Sequence, residues 1–328
     1  MGDRVEIAWV IRYGAHVWQS PSQVRTLYQK ALAIFEEAGD ERGKLEMPYR
    51  LGWITAQLGN YQEAEQHYLD GLALAQEFNR RDITLFCLYE LGYVHWVLGN
   101  YQTAETYCQE SITIATELGW PSLIAYTQRY LARIALSQNN LSQARTYLQN
   151  SLAIYEELGL RGHWADTLGE MGHVALAEQD LATAAQLAEE SLTLCQELDH
   201  RTGEITPYTI LGEVALGLGK FDIAGQHFRQ ASQIACEVWQ PALALHALVG
   251  LARLFASVGE KEQAYDTATF ILHHPISWKW SKDTIAPLAA ELEAELPPNE
   301  RNIAQTQASA KNLEQVVEEL ITTEGYHA

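Results

Sequence analysis

From Leu91 to Gly119 the chain reads LGYVHWVLGNYQTAETYCQESITIATELG, with apolar residues three and four positions apart on either side of Gly99-Asn100. That spacing gathers them on one face of each of two α-helices. Gly99 can take the positive φ that ends a helix, and Asn100 can cap the next one by accepting from its free N–H groups. The stretch predicts a helical hairpin. One hairpin cannot bury its apolar side by itself, so others of the same kind have to stack on it.

Such hairpins recur at a period of 40, with anchors at Leu51, Leu91, Leu131, Met171, Leu211 and Leu251. Each anchor is followed by a small residue (Gly52, Gly92, Ala132, Gly172, Gly212, Ala252). The turns fall at Gly59-Asn60, Gly99-Asn100, Asn139-Asn140, Gln179-Asp180, Gly219-Lys220 and Gly259-Glu260. Alanine stands thirteen residues beyond every anchor, at Ala64, Ala104, Ala144, Ala184, Ala224 and Ala264. Seven further on the residue is small again, from Gly71 through Ser111, Ser151 and Ser191 to Ala231, until Ile271. Small residues at fixed offsets mean two helix backbones that approach closely at those points.

The pattern L-G, turn, Y-x-x-A and a small residue seven positions later resembles the tetratricopeptide repeat (TPR), whose usual period is about 34 residues. The longer form is similar to the C-terminal arrays of bacterial signal-transduction ATPases of the STAND type, including relatives of the maltose-regulon activator. The segments RVEIAWVIRYGAHVW and ILHHPISWKWSKDTIAPLAAELEAELPP resemble the edges of such arrays. The resemblance implies an all-α, right-handed superhelical solenoid of TPR-like hairpins with C-terminal capping helices. Its first helices would line the concave side, where ligands of such folds commonly lie. In a STAND-type parent an ATPase module would stand upstream of this chain.

Residues 1–40 read as a degenerate first repeat, with Ile11 in place of the anchor and Ser20-Pro21 in place of the turn. Residues 41–275 hold the six regular repeats, and 276–328 the capping helices and a loose tail. Met1-Gly2-Asp3 runs straight into a helical pattern, which favours a piece of a longer chain. Pro121 and Pro241 sit in first turns, where proline costs no hydrogen bond. Pro48 and Pro207 lie deeper, so those two helices are expected to start late or bend. Past His273-His274-Pro275, residues 282–296 read as one helix, and 300–322 as a single polar, amphipathic closing helix.

Composition narrows the choice of partner. With 22 Lys+Arg against 42 Asp+Glu the formal charge is −20, a balance that repels phosphate backbones and anionic lipid. Nucleic acid and membrane are therefore not expected partners. The four cysteines (Cys87, Cys108, Cys195, Cys236) stand singly, as reduced core thiols of a cytoplasmic protein would.

Motifs for chemistry are missing: there is no H-E-x-x-H, no G-x-S-x-G and no clustered Cys/His set. The stretch from Gly212 to Lys220 fails as a phosphate loop, because Val214 takes the first glycine position and Phe221 the Ser/Thr position. His273 and His274 point apart on a helix end, and Glu36-Glu37, Glu156-Glu157 and Glu189-Glu190 read as solvated faces. No catalysis, metal or cofactor is expected.

What remains is the side of the first helices opposite the anchor. Two positions before and after it stand Trp9 and Tyr13, Tyr49 and Trp53, and Tyr89 and Tyr93, with Phe86 and Trp96 beside them. The next repeat has Arg129 and Arg133, with Tyr126 alongside. Later repeats turn mixed and polar, with His173, Glu213, His246 and Arg253. Two readings of the aromatics stay open: they floor a ligand-binding groove, or they wedge between successive first helices. The arginines suit an anion, unless Asp166 or Glu170 neutralises them. The expected function is a non-catalytic recognition module, the sensor domain of a signalling protein. It would bind a peptide, a protein or a small anionic effector in the groove. The alternative is a free-standing adaptor for protein–protein assembly.

Overall fold

The computed structural model describes residues 2–18 and 20–322. Among these the regular structure is entirely helical. The N-terminal helices are α1 (Gly2–Trp18), α2 (Pro21–Ala38), α3 (Glu41–Gln57), α4 (Tyr61–Glu77), α5 (Arg81–Val97) and α6 (Tyr101–Leu118). α7 (Pro121–Ser137), α8 (Leu141–Glu157), α9 (Arg161–Ala177), α10 (Leu181–Glu197) and α11 (Ile205–Gly217) follow. Then come α12 (Phe221–Glu237), α13 (Pro241–Ser257), α14 (Lys261–His273), α15 (Lys279–Glu295), α16 (Pro298–Ala310) and α17 (Leu313–Thr322). The chain forms two compact units, residues 1–134 and 135–328, with the boundary inside α7.

Every expected hairpin turn is present and closes in the same way. Gly59, Gly99, Asn139, Gln179, Gly219 and Gly259 all have positive φ. The following amide reaches back to a carbonyl of the finished helix, as in Asn60 to Thr55 at 3.1 Å and Asn100 to His95 at 2.8 Å. This satisfies carbonyls that a helix end leaves without partners. The cap at Asn100 departs from expectation. Its side chain makes no cap bond, and its Nδ2 lies 3.3 Å from His95 Nδ1. Asn140 and Asp180 do cap, accepting from Gln143 at 3.4 Å and Thr183 at 3.0 Å.

The small-residue columns are the floor of the packing. All six alanines from Ala64 to Ala264 are completely buried. In the first unit Gly52 lies against the ring of the fully buried Tyr68, and Gly92 against Cys108. In the second, Gly212 and Gly250 both face the ring of Phe228. An aromatic ring seventeen positions past the anchor, at Tyr68 and Phe228, thus lies against the glycine that follows the anchor.

The prolines behave differently from each other. Pro48 is inside α3, which nevertheless begins at Glu41, so the expected late start does not occur there. Pro207 does delay its helix: a 3₁₀ turn over Arg201–Glu204 precedes α11. At the C-terminus the expected single closing helix is two. Asn312 breaks it, because its side chain accepts from the amide of Gln315 at 2.9 Å while Gln315 accepts from the amide of Asn312 at 3.0 Å. That reciprocal cap starts α17, whose Leu313, Val316 and Val317 join the core formed by Phe228, Leu248, Phe255 and Ile285. Arg229 fixes the far end by donating to the carbonyl of Leu320 at 2.8 Å.

Candidate functional site

In the first unit the residues two positions before the anchor pack into a continuous layer. The hydroxyls of Tyr49 and Tyr89 are 3.0 Å apart. Phe86 lies between the rings, 5.6 Å from Tyr49 and 6.1 Å from Tyr89. Tyr89 continues to Tyr126 at 5.6 Å and Tyr130 at 6.2 Å. Only 8% of Tyr89 is exposed, and burial pushes the hydroxyls of both Tyr49 and Tyr89 above the usual phenol range. These two residues stand between successive first helices. They join α3 to α5 and α5 to α7, and their polar tips are used inside the layer.

Residues two positions after the anchor lie one helical turn further along and stay half-buried: Trp53, Tyr93 and Arg133. Tyr93 is 5.9 Å from Trp96 and 5.6 Å from Tyr130. The Arg133 guanidinium stands 5.7 Å from the ring centres of both Trp96 and Tyr130. Aromatic rings attract and orient a guanidinium through their negative faces, and the planar fork of a guanidinium matches a planar anion in geometry. Arg129, by contrast, is only 8% exposed and 6.0 Å from the Tyr126 ring. The two arginines are therefore not equivalent.

The first repeat keeps its own cluster. Trp9 packs on Phe35 at 4.9 Å and donates from Nε1 to Asp40 at 3.2 Å. Tyr13 is 54% exposed, with the Arg12 guanidinium 4.2 Å from its ring centre. His173 belongs to the second unit, where it lines a cavity with Glu213, His246, Arg253 and Trp280.

Sequence reasoning passed over Glu90, one position before its anchor. It is 7% exposed. Burial pushes its carboxyl up to about 7, against the pull of the Tyr89 and Tyr68 hydroxyls, which favour the charged form. The signal available was an acid in a column that holds Arg50, Tyr130, Glu170, Ile210 and Gly250 in the other repeats. Among the described residues no group of three or more His, Cys, Asp or Glu side chains is placed to hold a metal ion. No helix there is long and apolar enough to cross a membrane.

Stacked helical hairpins of fixed period, closed by positive-φ turns and carrying an aromatic layer on the first helices of the first unit, define a helical repeat protein. Models of the tetratricopeptide repeat match residues 46–78, 84–157 and 165–237, and the chain belongs to that family. No curated protein matches it. Solved structures do. Apo RapI superposes with a TM-score of 0.63 at 14% identity, over 89% of this chain and 98% of that one. The Rap conjugation gene regulator of plasmid pLS20, solved with the Phr* peptide, gives 0.60 at 11% identity, covering 99% and 92%. A STAND protein with a tetratricopeptide repeat sensor from Pyrococcus horikoshii gives 0.55 at 15% identity. This chain is covered over 97% of its length there, and spans 48% of that protein. At such identities the likeness is one of fold.

Proposed function

We infer that this chain is a non-catalytic recognition module whose first unit takes an acidic peptide or small anionic effector on the first-helix face. Arg133 receives the anionic group, and Tyr93 and Trp53 hold the adjoining apolar part. The observation that carries this reading is Arg133 held between Trp96 and Tyr130 beside the half-buried Tyr93. Arg129, Tyr49 and Tyr89 support the layer from behind, while Trp9, Tyr13 and Tyr126 extend it. A similar fold seated on the Phr* peptide in the pLS20 regulator supports a peptide as the occupant. The STAND sensor supports a role within a larger signalling protein, in the cytoplasm, with an ATPase module upstream.

The test is calorimetric titration with a library of short acidic peptides containing aromatic residues. Arg133→Ala is expected to weaken the best binder by one to two decades, since a charged hydrogen bond contributes about 1.5–3 kcal/mol. Tyr93→Ala weakens it less. Arg145→Ala, whose side chain pairs with Glu178 in the second unit, leaves it unchanged. Full binding after loss of both Arg133 and Tyr93 overturns the reading and leaves the adaptor alternative.

A further inference from the structure

The second unit contains a cavity of about 600 Å³, within the range that holds drug-sized ligands. Its origin is visible in the repeat columns. Where the first unit places Tyr49 and Tyr89 two positions before the anchor, the second places Gly169, Thr209 and Val249. Six positions after the anchor stand Ala177, Gly217 and Ser257, and these three, with Val249, line the space. Small side chains six positions after the anchor, on three successive first helices, leave this space open.

What lines the cavity is specific in chemistry. His173 and His246 meet edge to face at 5.6 Å, and His246 lies 4.8 Å from Trp280. Three planar rings therefore come from three helices, α9, α13 and α15. Next to them Arg253 donates from Nη1 to Glu213 at 2.6 Å. Leu176 and Leu216 complete an apolar wall.

We propose that this cavity binds an uncharged, planar heteroaromatic molecule of the nucleobase or nucleoside class. Ring faces favour a flat, polarisable occupant. The Arg253–Glu213 pair presents a donor and an acceptor side by side, which match the acceptor and donor along one edge of a base. Its two charges offset each other, so a strong anion would face Glu213 and a cation Arg253. The site is separate from the Arg133 face and stands or falls independently of it.

The experiment uses the whole chain and a panel of adenine, adenosine, guanosine, uridine and AMP, followed by saturation-transfer NMR and calorimetry. At least one neutral member is expected to bind with Kd below about 1 mM, and AMP at least about tenfold more weakly than adenosine. Trp280→Ala is expected to weaken binding about tenfold or more. Ser257→Leu fills the cavity and abolishes binding, with helix content as the check on folding. Arg4→Ala, which removes an exposed ion pair with Glu37 in the first unit, leaves nucleoside binding unchanged. If every neutral member fails to bind at 1 mM, or Trp280→Ala and Ser257→Leu both bind as the wild type does, the proposal is overturned. AMP binding more tightly than adenosine also overturns it, since the cavity would then be an anion site.

Discussion

The phenolic oxygens of Tyr49 and Tyr89, one full repeat apart in the chain, lie 3.0 Å from each other in a part-buried aromatic layer. Either Tyr49→Phe or Tyr89→Phe leaves the other hydroxyl without this bond, at a cost of about 0.5–1.5 kcal/mol. The double variant is expected to cost less than the sum of the two, because it removes both polar groups together. Urea unfolding of the four proteins measures the coupling, and strict additivity would show that the contact contributes nothing.

Glu90 makes stability depend on pH. Its carboxyl is raised to about 7 in the folded chain, chiefly by burial, from an ordinary value of 4.5. Below 4.5 it is protonated in both states and carries no penalty. Between 4.5 and about 7 the unfolded state ionises first, so stability falls as pH rises, by at most about 3 kcal/mol. Glu90→Gln is expected to flatten that slope and to raise the unfolding midpoint at pH 8 more than at pH 4. A pH profile unchanged by the substitution would remove Glu90 from the account.

Two glycines separate close approach from open space. A methyl group on Gly52 would come within 2.6 Å of the buried Tyr68 ring, whereas on Gly162 it meets nothing within 4 Å. Gly52→Ala is therefore expected to destabilise by about 1–3 kcal/mol through overpacking. Gly162→Ala, in the first turn of α9, should be neutral or stabilising by up to about 1 kcal/mol. Thermal unfolding distinguishes them, and equal shifts would contradict the packing described.

The charge of −20 makes duplex DNA a poor ligand. Fluorescence anisotropy with a random labelled duplex should show no binding at physiological salt, because no counterion release is available to drive it. Tight, salt-sensitive binding would refute this.

The sequence by itself determined the hairpins, their turns and the columns that face inward. Backbone close approach admits only small residues, so Ala64 and its five equivalents were visible without coordinates. Turns needing positive φ were marked in the same way, even where Gln179 takes the place of glycine. It also placed the aromatic and basic residues on one face. Only the tertiary structure decided their use. Tyr89 and Arg129 are buried, whereas Tyr93 and Arg133, four residues on, are half-buried. The buried Glu90 and the cavity beside Trp280 depend on distances between side chains far apart in sequence. Helical periodicity orders residues around one axis, and it carries no information about how the rings of two neighbouring helices share the space between them.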